Sequence, residues 1–141
     1  MKNQALLFTL FLVFFFSSCN NMLLDSAYRQ IEGEWVRSDS DIENVTTTLT
    51  FNTSDKTFTW SDMILDQQRY LKTGEFALYT NSKIETIQKQ ATLVLTFDQT
   101  EGEDAHRESF YFFFTEKEDG TFYLNLSQQT KVEKYYLFQH K

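Results

Sequence analysis

Eight separate stretches of this chain alternate their side chains at period two, and no proline interrupts any of them. Alternation places every second side chain on one face of an extended backbone, so each stretch reads as a strand with one buried side. The first runs from Gly33 to about Ser38. In the second, Val45, Leu49 and Phe51 alternate with Thr46, Thr48, Thr50 and Asn52, and Thr47 falls on the inward side. The polar corner Thr53-Ser54-Asp55 then leads into a third strand, Thr57 to Trp60, as a hairpin. Residues 69–79 form a longer strand in which Gly74 reads as a bulge or bend. Ala91 to Phe97, Glu108 to Thr115, Thr121 to Ser127 and Glu133 to Gln139 complete the set. Asp119-Gly120 marks the tight hairpin between the sixth and seventh. The polar runs Asn81 to Gln90 and Gln99 to Asp104 read as solvated connections. Eight antiparallel strands joined by short links are enough to close a small barrel. The expected class is therefore all-β, an eight-stranded antiparallel up-and-down barrel.

Ahead of the strands lies Leu6 to Cys19, an apolar run ending in two serines and the only cysteine. Lys2 gives it a positive start, and Ala5 to Phe16 is apolar apart from Thr9. That length falls short of the roughly 20 residues a spanning helix needs and fits the core of a secretory signal. The ending Phe16-Ser17-Ser18-Cys19 resembles the lipobox of bacterial lipoproteins. The resemblance implies lipidation of Cys19 after cleavage of a signal peptide over residues 1–18. Several acyl chains would anchor the mature domain, where one would bind only marginally. Asn20 stands where an aspartate would hold an enterobacterial lipoprotein at the inner membrane. The implied address is the bacterial envelope, at the outer membrane and facing the periplasm. Residues 19–31 then form the lipidated cysteine and a spacer, and residues 32–141 the barrel domain. In the spacer, Met22, Leu23, Ala27 and Ile31 share a face at helical spacing, which fits a short helix closing the barrel or a disordered leader.

Without the signal, twelve basic residues stand against twenty acidic ones, a net charge of −8. Nucleic acid and anionic lipid surfaces are poor partners for such a domain. Five of the fifteen phenylalanines belong to the signal, and the remaining ten, with seven tyrosines and two tryptophans, still favour strands.

Gly33 and Trp35 form a Gly-x-Trp motif at the head of the first strand. With the TLTF stretch Thr48 to Phe51, the DGTF stretch Asp119 to Phe122 and the aromatic closing strand Tyr135 to Phe138, the chain resembles the small lipocalin-like lipoproteins of Bacteroidetes-type bacteria. That resemblance implies a barrel in which Trp35 packs across a closed end. In ligand-carrying lipocalins an arginine of the last strand stacks on that tryptophan, whereas here the basic residues of that region are Lys134, His140 and Lys141.

No constellation points to catalysis. His106 and His140 have no His or Cys partner at metal-ligand spacing, and Glu101, Glu103 and Asp104 do not form an EF-hand loop. The expectation is a protein that is not an enzyme and carries neither metal nor cofactor. What remains is the inward aromatic set. Phe51, Phe58, Trp60, Phe76, Phe97, Phe110, Phe112, Phe114 and Phe122 either line a pocket for a small hydrophobic ligand or fill the barrel solidly. In the second case the outer face around Tyr111, Phe113, Tyr123 and Tyr135 is the candidate surface for docking another envelope protein.

Overall fold

The computed structural model describes residues 24–39, 43–65, 67–80, 91–128 and 134–141. The apolar run, Cys19, Met22 and Leu23 lie outside them, as does the polar stretch Asn81 to Gln90. Eight strands come after a helix over residues 24–31. They are β1 (Gly33–Arg37), β2 (Val45–Asn52), β3 (Thr57–Ile64), β4 (Gln67–Thr80), β5 (Ala91–Phe97), β6 (His106–Glu116), β7 (Phe122–Gln128) and β8 (Lys134–His140). Each pairs antiparallel with its neighbours in sequence, and β1 also pairs with β8, which closes the barrel.

The expected parity holds. Trp35, Leu49, Phe51, Phe58, Phe76, Leu78, Leu93, Leu95, Phe97, Phe110, Phe112, Leu124, Leu126 and Phe138 form one buried cluster, all from the inward positions. Fully burying one such side chain contributes about 1.5–3 kcal/mol. A one-residue slip would turn a strand's entire inward set outward. For β5 that means Leu93, Leu95 and Phe97 together, comparable to a whole domain's net stability of about 5–15 kcal/mol. Register is therefore set by the inward side chains.

Up-and-down topology sends alternate connections to opposite ends. The links after β2, β4 and β6 lie at one end, with the helix, and those after β1, β3, β5 and β7 at the other. At the helix end Ile31 is wholly buried, and Leu24, Ala27 and Tyr28 pack against the core. The Tyr28 hydroxyl accepts a hydrogen bond from the Leu78 amide at 3.1 Å, and its ring lies 5.8 Å from Phe76. Glu32 continues the seam by accepting from the Thr53 amide at 2.6 Å and from the Thr53 hydroxyl. These two donors hold its carboxyl below the usual carboxylate range.

The turns reflect their residues. Asn52 Oδ1 accepts from the Ser54 amide at 3.1 Å and from the Ser54 hydroxyl at 2.6 Å, which shapes the β2–β3 corner. Asp119 accepts from the Thr121 amide at 2.8 Å, and Gly120 takes φ +80° in the β6–β7 turn.

Two sequence expectations need correction. β3 runs on from Trp60 to Ile64, and β4 starts at Gln67, because Ser61 and Asp62 pair with Leu71 and Tyr70 through backbone groups that are indifferent to side-chain polarity. Gly74 is also not a bulge. It pairs in register with Phe58 and Phe97, and the register shift lies at Asp62/Met63, where Arg69 is the extra residue of β4. Gly74 serves close approach instead: a Cβ there would meet the Thr96 carbonyl oxygen at 2.0 Å.

Candidate functional site

Towards the helix end the inward positions are mostly apolar, with His140 and Glu116 at the rim; towards the other end they become polar. Carrying β3 inward from Phe58 and Trp60 reaches Asp62, and carrying β6 back from Phe110 reaches Glu108 and His106. Arg37, Thr47, Tyr70, Lys72 and Tyr136 occupy the equivalent places on β1, β2, β4 and β8. Together with Trp60 and Phe97 they line a cleft of about 290 Å³ at the end of the barrel away from the helix. Its size is near the lower bound for small-molecule sites, and its lining mixes aromatic walls with a few polar groups.

Three basic side chains of this collar, Arg37, Lys72 and His106, stand beside carboxylates. Arg37 Nε bonds Asp39 Oδ1 at 2.7 Å, and its guanidinium sits 4.8 Å from the centre of the Tyr136 ring. Lys72 pairs with Glu103 of the β5–β6 connection, and its ammonium lies 4.9 Å from the Tyr70 ring centre and 5.5 Å from that of Phe97. The connection is thus tied to the mouth by an ion pair rather than being merely solvated. Glu103 first, then Tyr70, raises the Lys72 pKa, and Lys72 in turn lowers that of Glu103. His106 stacks on Phe97 at 4.6 Å and stands 3.5 Å from Glu108 Oε1. Gln128 donates to the other Glu108 oxygen at 3.2 Å. Burial first, and Glu108 second, push the Tyr136 hydroxyl above its ordinary pKa, while Arg37 opposes them.

Asp62 differs from these groups. Its Oδ1 is buried and has no hydrogen-bond partner. Among the described residues no group of three His, Cys, Asp or Glu side chains is placed to hold a metal ion.

The nine aromatic pocket candidates divide by height. Trp60 and Phe97 line the cleft. Phe51, Phe58, Phe76, Phe110 and Phe112 are 5% exposed or less and pack against one another below it. Phe114 and Phe122 stack at 5.5 Å and lie 5.8 and 6.2 Å from Trp35. Trp35 itself is wholly buried, with His140 edge-on to it at 4.8 Å. His140, near the end of the last strand, therefore flanks the buried tryptophan. Gly33 adopts φ +104°, and a Cβ there would sit 3.1 Å from His140 Nε2. Cys19 lies outside the described residues.

The polar collar escapes a reading of the sequence because Asp62, Lys72, His106 and Glu108 look like solvent-face residues when taken singly. The available signal was parity, continued past the last apolar residue of each strand. A second, shallower groove of about 240 Å³ runs along the outside of the β1–β8 seam between Val36 and Lys141.

The fold defines a closed, eight-stranded antiparallel barrel with one end covered by a helix. Compared with protein-family models, curated proteins and solved structures, the chain matches none.

Proposed function

We propose that this chain is a lipocalin-like lipoprotein of the bacterial envelope, tethered through lipid on Cys19 to the outer membrane and facing the periplasm, that binds a small molecule at the barrel mouth. The observation that carries the binding reading is the cleft itself, a concave site of about 290 Å³ walled by Trp60, Phe97, Tyr70 and Tyr136. A binding module, rather than an enzyme, accounts for a collar whose ionisable groups are mostly engaged with one another. The ligand this lining favours is amphipathic rather than purely hydrophobic, since aromatic rings and charged groups share the walls.

Native mass spectrometry of the chain purified without detergent, after exposure to envelope extract, tests the binding reading. A small mass that is retained under gentle ionisation and lost on unfolding is the expected result. A clean apo mass overturns it. For the tether, Cys19→Ser is expected to abolish incorporation of labelled palmitate and to release the protein from the membrane fraction.

One observation favours a second reading, in which the outer face docks another envelope protein. Tyr79, Tyr111 and Tyr135 lie in one outward row across β4 to β8, spaced by Thr92 and Ser127, with Phe113 one step along β6. Tyr79, Phe113 and Tyr135 are each more than half exposed. Tyr123 does not belong to this surface. Lys117 folds over its ring at 4.6 Å and donates to its hydroxyl at 3.2 Å, leaving the residue buried.

A further inference from the structure

Two cations and two carboxylates line the cleft, Arg37 and Lys72 with Asp62 and Glu108, so that, His106 aside, the lining carries no net charge. A ligand of either sign therefore gains little from the cleft as a whole. A wholly apolar ligand is disfavoured for a different reason. It would strip water from charged and polar heads that still reach solvent, since side-chain exposure is 25% for Arg37, 33% for Glu108 and 39% for His106. The lining matches a neutral molecule that offers both hydrogen-bond donors and acceptors and one flat apolar face.

Trp60 supplies the flat wall. It is half-buried, and Tyr136 and Phe138 meet it at 88° and 85°, so neither ring is stacked on the indole. Tyr136, Tyr70 and Phe97, by contrast, have Arg37, Lys72 and His106 set over their faces. Arg37 bonds Asp39 through Nε, and a guanidinium carries further N–H donors. Glu108 has His106 at 3.5 Å from one oxygen and Gln128 at 3.2 Å from the other, and each oxygen has a second lone pair to offer. Trp60, Arg37 and Glu108 are gathered around Tyr136: the indole meets its ring, the guanidinium sits over it, and Glu108 acts on its hydroxyl. Resting on the reading of the cleft as the ligand site, we propose that it binds a neutral saccharide, with the C–H face of one pyranose ring on Trp60 and its hydroxyls shared between Arg37 and Glu108. The partly positive C–H groups meet the negative face of the indole. A hydroxyl donates and accepts, so one ring serves the carboxylate and the guanidinium together, through hydrogen bonds of the stronger, charge-assisted kind.

The test uses methyl β-D-glucoside, methyl β-D-galactoside and methyl α-D-mannoside, titrated into the purified chain and followed by amide NMR shifts. At least one is expected to move the signals of Thr47, Trp60 and Tyr136, and to bind more tightly than its uronate and amino-sugar counterparts, which carry the same ring with a negative or a positive charge. Glu108→Gln and Arg37→Gln are each expected to weaken that binding by about tenfold, the loss of one hydrogen bond to a charged group. Tryptophan fluorescence is expected to respond through Trp60, because Trp35 is wholly buried, and to fall silent in Trp60→Phe. Tighter binding of a charged counterpart or of adenosine, or undiminished affinity in both charge variants, overturns the saccharide assignment while leaving the cleft as a ligand site. So does a shift of the same signals by naphthalene, a neutral apolar probe, when no pyranoside moves them. If no probe moves them, the saccharide assignment and the ligand-site reading fail together. The comparison of probes on the unmutated chain decides the matter even if the variants do not fold.

Discussion

The indole Nε1–H of Trp35 donates to the Ile31 carbonyl at 2.8 Å, and both residues are wholly buried. The bond joins the last turn of the closing helix to the first strand, four residues on. It satisfies a helix-terminal carbonyl that water cannot reach, and it gives the indole N–H the partner a buried tryptophan needs. Trp35→Phe keeps the ring's apolar contacts with Phe114 and Phe122 but leaves that carbonyl unpaired. Unfolding free energy from urea denaturation is expected to fall by about 1–3 kcal/mol. An unchanged midpoint would mean the helix end is solvated in solution.

Gly74 and Gly120 are expected to respond differently to alanine. A Cβ at Gly74 meets backbone, the Thr96 carbonyl oxygen at 2.0 Å and its carbon at 2.9 Å, with the Phe58 ring at 3.0 Å. Neither backbone atom can swing aside, so Gly74→Ala is expected to exceed the roughly 1–3 kcal/mol of ordinary overpacking and to abolish the folded state. At Gly120 nothing lies within 4 Å, and only the left-handed φ of +80° opposes a side chain. Gly120→Ala is expected to cost about 1–2 kcal/mol and to leave the fold intact. Circular dichroism and denaturant midpoints of the two variants separate these outcomes.

The Lys72–Glu103 pair sets a pH window. Glu103 has its pKa lowered from 4.5, so its contribution is complete above pH 4.5 and disappears as pH falls through the depressed value. Lys72 has its pKa raised from 10.5, so its contribution is complete below pH 10.5 and is lost as pH rises through the elevated value. Between those limits the melting-temperature difference between the unmutated chain and Glu103→Gln is expected to be constant. On acidification it is expected to shrink towards zero. Added salt should reduce it too, because Glu103 is half exposed. A difference that persists at low pH would assign the effect to the loop rather than to the ion pair.

Tyr136 reports the field of the mouth. Its hydroxyl titrates above 10.0, chiefly because of burial and then because of Glu108, with Arg37 pulling the other way. Replacing Arg37 by Gln is expected to move the titration upward, and Glu108→Gln to move it downward. Ultraviolet absorbance against pH, with Tyr136→Phe as the assignment control, measures both. Shifts of the opposite sign would mean that these side chains do not face Tyr136.

Sequence and tertiary structure divided the description of this protein along a physical line. Period-two alternation was enough for the strands, their inward faces and their number, because a strand's two sides are set by local geometry and by the burial of residues such as Leu93, Leu95 and Phe97. The Asp119-Gly120 turn and the Gly33-x-Trp35 start were local too. The cleft was not. Arg37, Asp62, Lys72, Glu108 and Tyr136 come from five strands and meet only when β1 pairs with β8 and the barrel closes. Their polarity, read singly, points outward to solvent; the closed ring turns the same parity that buries Phe110 into a wet, charged mouth above it. Gly74 makes the same point. A glycine within a strand signals either a bulge or a close approach, and only the Thr96 carbonyl across the β4–β5 ladder decides between them.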